Sequence, residues 1–280
     1  MCPTDICKHC FERPDGCWKA QPFDCVLQYA KARDRARACP IGKWGQWIYL
    51  PDVPTIVYTC DKAHCLARHP RVRQILSDRK FSNWQFLFGA SEYPYWIPIR
   101  RDWIEQLRQR EPPLLWLEDD IGVRDFHPWI QYPDGYDVIY LGGGGAWRNS
   151  GLVSAARSHL PGLEIRQVGA IGVADIDDQW VRPFGMFGVH AVLFLEKRSM
   201  LEIAQAIEEG WAVGKREIDV IIGANQWRWN CALIRTPMFY QADGHNDAGT
   251  WDYAKDPIVE PQETRVDRIR AERHQLAGVS

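Results

Sequence analysis

Three carboxylates in a row, Glu118-Asp119-Asp120, close the apolar run Pro112-Pro113-Leu114-Leu115-Trp116-Leu117. Neighbouring like charges repel, so a fold that gathers them at a strand end has reason to supply a cation. A short buried strand delivering acids to its C-terminal edge is also where an α/β sheet places a ligand. A solvated acidic turn is the competing reading. Further acids lie downstream: Asp175-Ile176-Asp177-Asp178, then Glu217 and Asp219, then Asp243-Gly244-His245-Asn246-Asp247. Asp175 and Asp177 have Asp-x-Asp spacing, a weak signal because it occurs readily in loops. The last segment reads either as an Asp/Gly/Asn turn or as a source of metal ligands.

Cysteines form the second chemical cluster. Six of nine, Cys2, Cys7, Cys10, Cys17, Cys25 and Cys39, precede Ile41. Cys7-x-x-Cys10 is a two-ligand zinc knuckle, which Cys2, Cys17, Cys25 or Cys39 could complete to a tetrahedron. Six exceed the four that one zinc needs, His9 adds a spare, and thiolates also hold iron–sulfur clusters. The segment has too few aliphatic residues for a core, and small modules of that kind fold around a metal or disulfides. The N-terminus does not read as a signal peptide, so structural Zn²⁺ is the expectation. Lys31, Arg33, Arg35 and Arg37 read as a solvated helix face, with contact to a phosphate backbone as the alternative. Cys60 and Cys65 bracket Lys62 and His64. A second metal is one reading there; a buried cysteine and an ordinary turn is the expected one.

The elements that position these residues alternate between strand and helix. With 280 residues, 46% of them apolar, the chain can build one buried core and a small accessory unit. The Cys-rich module is expected over 1–48. From Val53 on, Thr55–Thr59, Trp84–Phe88, Leu114–Leu117, Asp137–Leu141, Gly169–Ala174 and Val189–Leu195 read as strands. Val72–Leu76 and Asp102–Arg110 read as helices. Ser199 and Glu202 read as a capping box opening a helix that Gly210 ends. The result is an α/β domain with a mainly parallel sheet flanked by helices over 53–255, then a polar tail or helix over 256–280. Gly142–Gly145 lacks the Lys-Ser/Thr of a nucleotide-triphosphate loop and reads as a strand exit. No apolar run is long enough to span a bilayer, and a net charge of −2 excludes binding to nucleic acid by bulk positive charge. A cytoplasmic protein is expected.

The central pattern resembles the family 25 glycosyltransferases, the lipopolysaccharide and collagen sugar transferases. It consists of Leu114-Leu115-Trp116-Leu117-Glu118-Asp119-Asp120, a nearby Phe126, and Tyr136-Asp137-Val138-Ile139-Tyr140-Leu141-Gly142. Gly188–Leu195 followed by Arg198, Ile218-Asp219, and Thr236-Pro237-Met238-Phe239-Tyr240-Gln241 are similar to the family's later segments. The family's first strand ends Asn-Leu-Asp-x-Arg, where this chain has Thr59-Cys60-Asp61-Lys62, and its Gly-Cys-x-Ser-His segment has no counterpart.

The resemblance implies a GT-A-type fold and transfer of a sugar from a nucleotide-sugar, a UDP-sugar by family, to an acceptor hydroxyl with inversion. It implies Mn²⁺ or Mg²⁺ held by Asp120 with Asp119, and a further ligand in His245 or Asp247. Thr59, Asp61, Arg68, Glu118 and Asp119 are the implied donor-binding residues, and Asp219 with Glu217 nearby the implied base. The acceptor is open between a glycan, a protein side chain and a hydroxylated DNA base, the last being a DNA modification. The alternative is a zinc-containing nucleic-acid-binding protein with a non-catalytic α/β domain. A metal-dependent phosphohydrolase ranks third.

Overall fold

The computed structural model describes residues 46–89, 96–142, 150–168, 171–186, 188–212 and 218–242. Cys2, Cys7, Cys10, Cys17, Cys25 and Cys39, the basic stretch from Lys31 to Arg37, Glu217, His245, Asp247 and the tail over 256–280 lie outside them. The chain divides into two compact units, Met1–Trp47 and Ile48–Ser280.

After β1 (Gln46–Tyr49), the β-branched run Thr55–Cys60 forms β2, buried along most of its length. A single turn, α1 (Ala63–Leu66), leads to α2 (His69–Asp78), which starts with a proline in its first turn and buries Val72 and Leu76, four residues apart on one face. β3 (Trp84–Gly89), α3 (Trp96–Gln109) and β4 (Leu114–Glu118) follow, then the short strands β5 (Ile121–Val123) and β6 (Trp129–Tyr132) and the buried β7 (Val138–Gly142). Next come α4 (Ser150–His159), β8 (Arg166–Val168), β9 (Ile171–Asp175), β10 (Trp180–Phe184) and β11 (Ala191–Phe194). The described elements close with α5 (Lys197–Ala212), α6 (Ile218–Asn225), β12 (Cys231–Ile234) and β13 (Phe239–Gln241).

One nine-stranded sheet runs in the order β3-β2-β4-β11-β7-β12-β10-β9-β8. It is mixed rather than mainly parallel. β2 is parallel to both β3 and β4, and β12 to β7, whereas β11 is antiparallel to both its neighbours. β10 is antiparallel to β12 and β9, and β8 to β9. The physical reason is legible in the connections. A parallel pair needs a crossover of roughly a dozen residues or more. Asp175 and Trp180 are joined by a tight turn in which Asp177 Oδ1 accepts the N–H groups of Gln179 and Trp180. That link forces a reversal.

Strand alternation sorts the core onto two faces. Ile56, Trp116, Tyr140 and Val192 pack with Trp103 and Leu107 of α3, Met200 and Ile203 of α5, and Ile221 of α6. Val57, Leu115, Leu117, Ile139 and Leu193 pack on the other face with Val72 and Leu76 of α2, and with Ile121 and Phe239. Trp116 is fully buried, 4.2 Å from the Trp103 ring and 5.5 Å from Tyr58. Truncating such a residue costs about 3–5 kcal/mol.

The capping box is not formed. The helix begins at Lys197, three residues earlier than expected, and the Ser199 hydroxyl donates to the Glu196 carbonyl at 2.8 Å. Glu202 instead accepts from Arg198 at 2.8 Å, an i,i+4 pair. Gly210 lies inside the helix, where a Cβ would come within 2.7 Å of Ile221 Cδ1, so it serves close packing of α5 on α6 rather than termination.

A candidate carboxylate site at the strand ends

β2 is flanked by β3 on one side and by β4 on the other. The chain passes from β2 to β3 and then back across β2 to β4. Strand order therefore reverses there, and the C-terminal ends of β2 and β4 form a topological switch point, the place where open α/β sheets take ligands. Register brings Tyr58 opposite Glu118 and Val57 opposite Leu117. One step further along, Thr59 meets Asp119 on the face covered by α2.

Alternation separates the three acids. Glu118 is half-buried and shares its face with Tyr58, and its N–H donates to the His190 carbonyl at 3.0 Å. Asp119 is 5% exposed and points to the opposite face. Its Oδ2 accepts the Thr59 hydroxyl at 2.5 Å and its Oδ1 accepts Arg68 Nη1 at 2.8 Å. Burial alone would lower the Arg68 pKa, but the Asp119 bond and the charges of Asp119 and Asp120 outweigh it and raise it. The cation expected beside the acids is therefore supplied, for Asp119, by the chain itself. His69 Nε2 lies 2.8 Å from Thr59 Oγ1. The Thr59 hydroxyl has one proton and gives it to Asp119, so it accepts from the Nε2–H tautomer of His69. Burial lowers the His69 pKa, with Asp119 opposing and Arg73 assisting.

Asp120 is half-buried in the turn between β4 and β5. Its carbonyl accepts the Ala242 N–H at 2.7 Å, and β13 pairs antiparallel with β5. The segment after Phe239 thus folds back onto Asp120, and Ala242 is the last described residue before His245 and Asp247. Beneath it, His190 is fully buried, and burial pushes its imidazole down to about 4 against a bond to the Phe239 carbonyl. Gly142 is required at this point: a Cβ there would lie 2.5 Å from both His190 Nε2 and the Phe239 carbonyl. His190 was not singled out from sequence; its isolation in the apolar run Val189–Leu195 was the available signal.

Asp61 is exposed just past β2. Asp219 opens α6, and its Oδ1 accepts the Val220 N–H at 2.8 Å, as suits a carboxylate in a first helical turn. α6 leads into the start of β12, which is parallel to β7. α6 packs on the face that carries Trp116 and Tyr140, whereas the Asp119 side chain bonds to Thr59 and Arg68 on the other. The Asp-x-Asp cluster is remote. Asp175 ends β9, five inter-strand steps from β4, or about 24 Å at ~4.8 Å each. It accepts Arg166 Nη2 at 2.7 Å and Arg235 Nη2 at 2.5 Å, and Asp177 caps the adjoining turn. Those bonds to the arginines hold the Asp175 carboxyl below the usual range.

Next to Asp119 the structure gathers a group expected from sequence to be a buried cysteine and an ordinary turn. One ligand atom each from Cys60, His64 and Cys65 lies within 4.8 Å of the others, so the three could hold a metal ion. Both cysteines are free, with their sulfurs 2.6 Å apart. Burial, the Cys60 hydrogen bond and the Asp119 charge push the Cys65 thiol up to about 12.

Among the described residues no helix is long and apolar enough to cross a membrane. No protein-family model matches the chain, and no curated protein matches it.

Proposed function

We propose that the second unit is a GT-A-type nucleotide-sugar transferase domain that takes a UDP-sugar at the crevice between β2 and β4. The observation that carries the reading is the juxtaposition of Thr59, Arg68, Asp119 and Asp120 at a topological switch point. Oxygen donors there suit a hard divalent cation, Mn²⁺ or Mg²⁺, which completes its shell with water and substrate phosphates. Asp119 commits both oxygens to Thr59 and Arg68, so Asp120 would hold the ion while Asp119 orients Arg68. His245 or Asp247 would add to it from the segment that continues past Ala242. Such an ion, when bound, neutralises charge on the departing diphosphate. Arg68 contributes fixed positive charge to the same crevice, and Thr59 and Asp61 line its β2 side. Asp219, with Glu217, is the base that takes the proton of the acceptor hydroxyl, and the family resemblance implies inversion.

Thermal unfolding with UDP, with and without Mn²⁺, tests the reading on the parent chain and Asp120→Ala. Ligand at 100 times its dissociation constant stabilises the native state by about 2.7 kcal/mol. A Mn²⁺-dependent rise in Tm that Asp120→Ala abolishes is the expected result. Absence of a shift with any nucleoside diphosphate overturns it.

A second reading, a zinc-containing nucleic-acid-binding protein, is favoured by one feature. The edge strand β3 presents Trp84, Phe86 and Phe88, with His69 stacked 4.1 Å from Phe86 and the Arg73 guanidinium 4.9 Å from the same ring. Aromatic rings interleaved with cations are what stacked bases use. Salt-sensitive binding of single-stranded DNA without a UDP response would select it.

A further inference from the structure

Cys60 ends β2 and Cys65 lies in α1, with His64 beside it. The transferase reading assigns no role to any of the three, although Cys65 lies against Asp119. We propose that Cys60, His64 and Cys65 bind a soft divalent cation, Zn²⁺, that ties the end of β2 to α1. The inference does not rest on the transferase reading.

Three observations carry it. The ligand atoms already converge within 4.8 Å, although the residues come from a strand end and a separate helical turn. Two thiolates and an imidazole form the donor set of a borderline-soft ion and discriminate against the hard ions that suit Asp120. The adjustment required is small. A tetrahedral ion with sulfur ligands at about 2.3 Å holds them roughly 3.8 Å apart. The sulfurs stand at 2.6 Å, so they must separate by roughly 1 Å. Cys60 is half-buried and can turn outward to make that room.

Three protein ligands leave the fourth position to water. The ion would also serve the neighbouring crevice. The Cys65 carbonyl accepts the Arg68 N–H at 3.0 Å, so fixing Cys65 fixes the turn that aims Arg68 at Asp119.

The test is zinc content per full chain, measured by elemental analysis after loading with Zn²⁺ under reducing conditions and removing excess by gel filtration. The N-terminal cysteines contribute the same background to every variant, so the difference between variants is what is read. Cys65→Ser and His64→Ala are each expected to hold one equivalent less than the parent. His64 is exposed, so its variant remains informative even if replacing the buried Cys65 impairs folding. Equal zinc in all three proteins overturns the site, and a loss confined to Cys65→Ser overturns the three-ligand assignment.

A tryptic map of protein purified without reductant separates the rival chemistry. Peptides Trp44–Lys62 and Ala63–Arg68 joined by a disulfide, with no zinc difference between variants, would identify a dithiol pair and refute the metal site.

Discussion

Replacing Arg68 by methionine tests whether Asp119 depends on its own chain for a compensating cation. The change removes the guanidinium that Asp119 Oδ1 accepts from and leaves a carboxylate that is 5% exposed. Removing one partner of a buried pair costs about 3–5 kcal/mol, because the remaining charge is stranded. The two side chains are 11% and 7% exposed at the crevice edge, which places the loss at the lower end, about 3 kcal/mol. For a unit of this size that lowers Tm by roughly 6–12 °C. Asp119→Asn removes the charge while keeping an acceptor for the Thr59 hydroxyl, and should cost about 1–3 kcal/mol through the orphaned guanidinium. The double variant should lose less than the sum, with a coupling energy of about 1–2 kcal/mol, since a neutral amide does not require the cation. Urea unfolding followed by tryptophan fluorescence at pH 7 measures all four corners of the cycle. An additive double variant, or an Arg68→Met protein within about 0.5 kcal/mol of the parent, would refute the reasoning.

Two further outcomes follow from other parts of the sheet. His190 has a folded pKa of about 4 against an ordinary 6.5, so its contribution is present above pH 6.5 and lost as pH falls toward 4. The difference is worth roughly 3 kcal/mol across that window, and His190→Gln should flatten this part of the acid-side slope in urea midpoints compared between pH 7 and 4.5; an unchanged slope would assign it to other groups. Asp175→Asn removes the partner of Arg166 and Arg235 at an exposed sheet edge. It should cost no more than about 1 kcal/mol and leave any UDP response intact, whereas loss of that response would return the Asp-x-Asp pair to the site.

The long buried strands and the acids that end one of them were legible locally, whereas short strands such as β5, β6, β8 and β13 carry no comparable apolar run. Ile56 and Val57, Leu114–Leu117 and Val138–Leu141 are apolar runs bounded by polar residues, proline or glycine, and each became a buried strand. The i, i+4 spacing of Val72 and Leu76 and the spacing of Trp103, Ile104 and Leu107 placed helices on the two faces. Glu118-Asp119-Asp120 at the end of β4 was likewise legible, because burial and charge change at a single position.

Tertiary structure alone decided which way the strands run, which acid meets which cation, and which cysteines meet. Periodicity states which face of an element is buried but not what lies beside it. β11 reads as an ordinary buried strand, yet its reversal between β4 and β7 is set by pairing with two strands far away in sequence. Asp119 finds Arg68 across 51 residues and Thr59 across 60, and only the register of β2 on β4 brings them together. The same register, with the turn of α1, converts Cys60, His64 and Cys65 from a spacing that read as an ordinary turn into three converging ligand atoms. Local sequence specifies elements through steric and hydrophobic preferences. Long-range partners are chosen by packing and by compensation of buried charge, which exist only once the chain has folded.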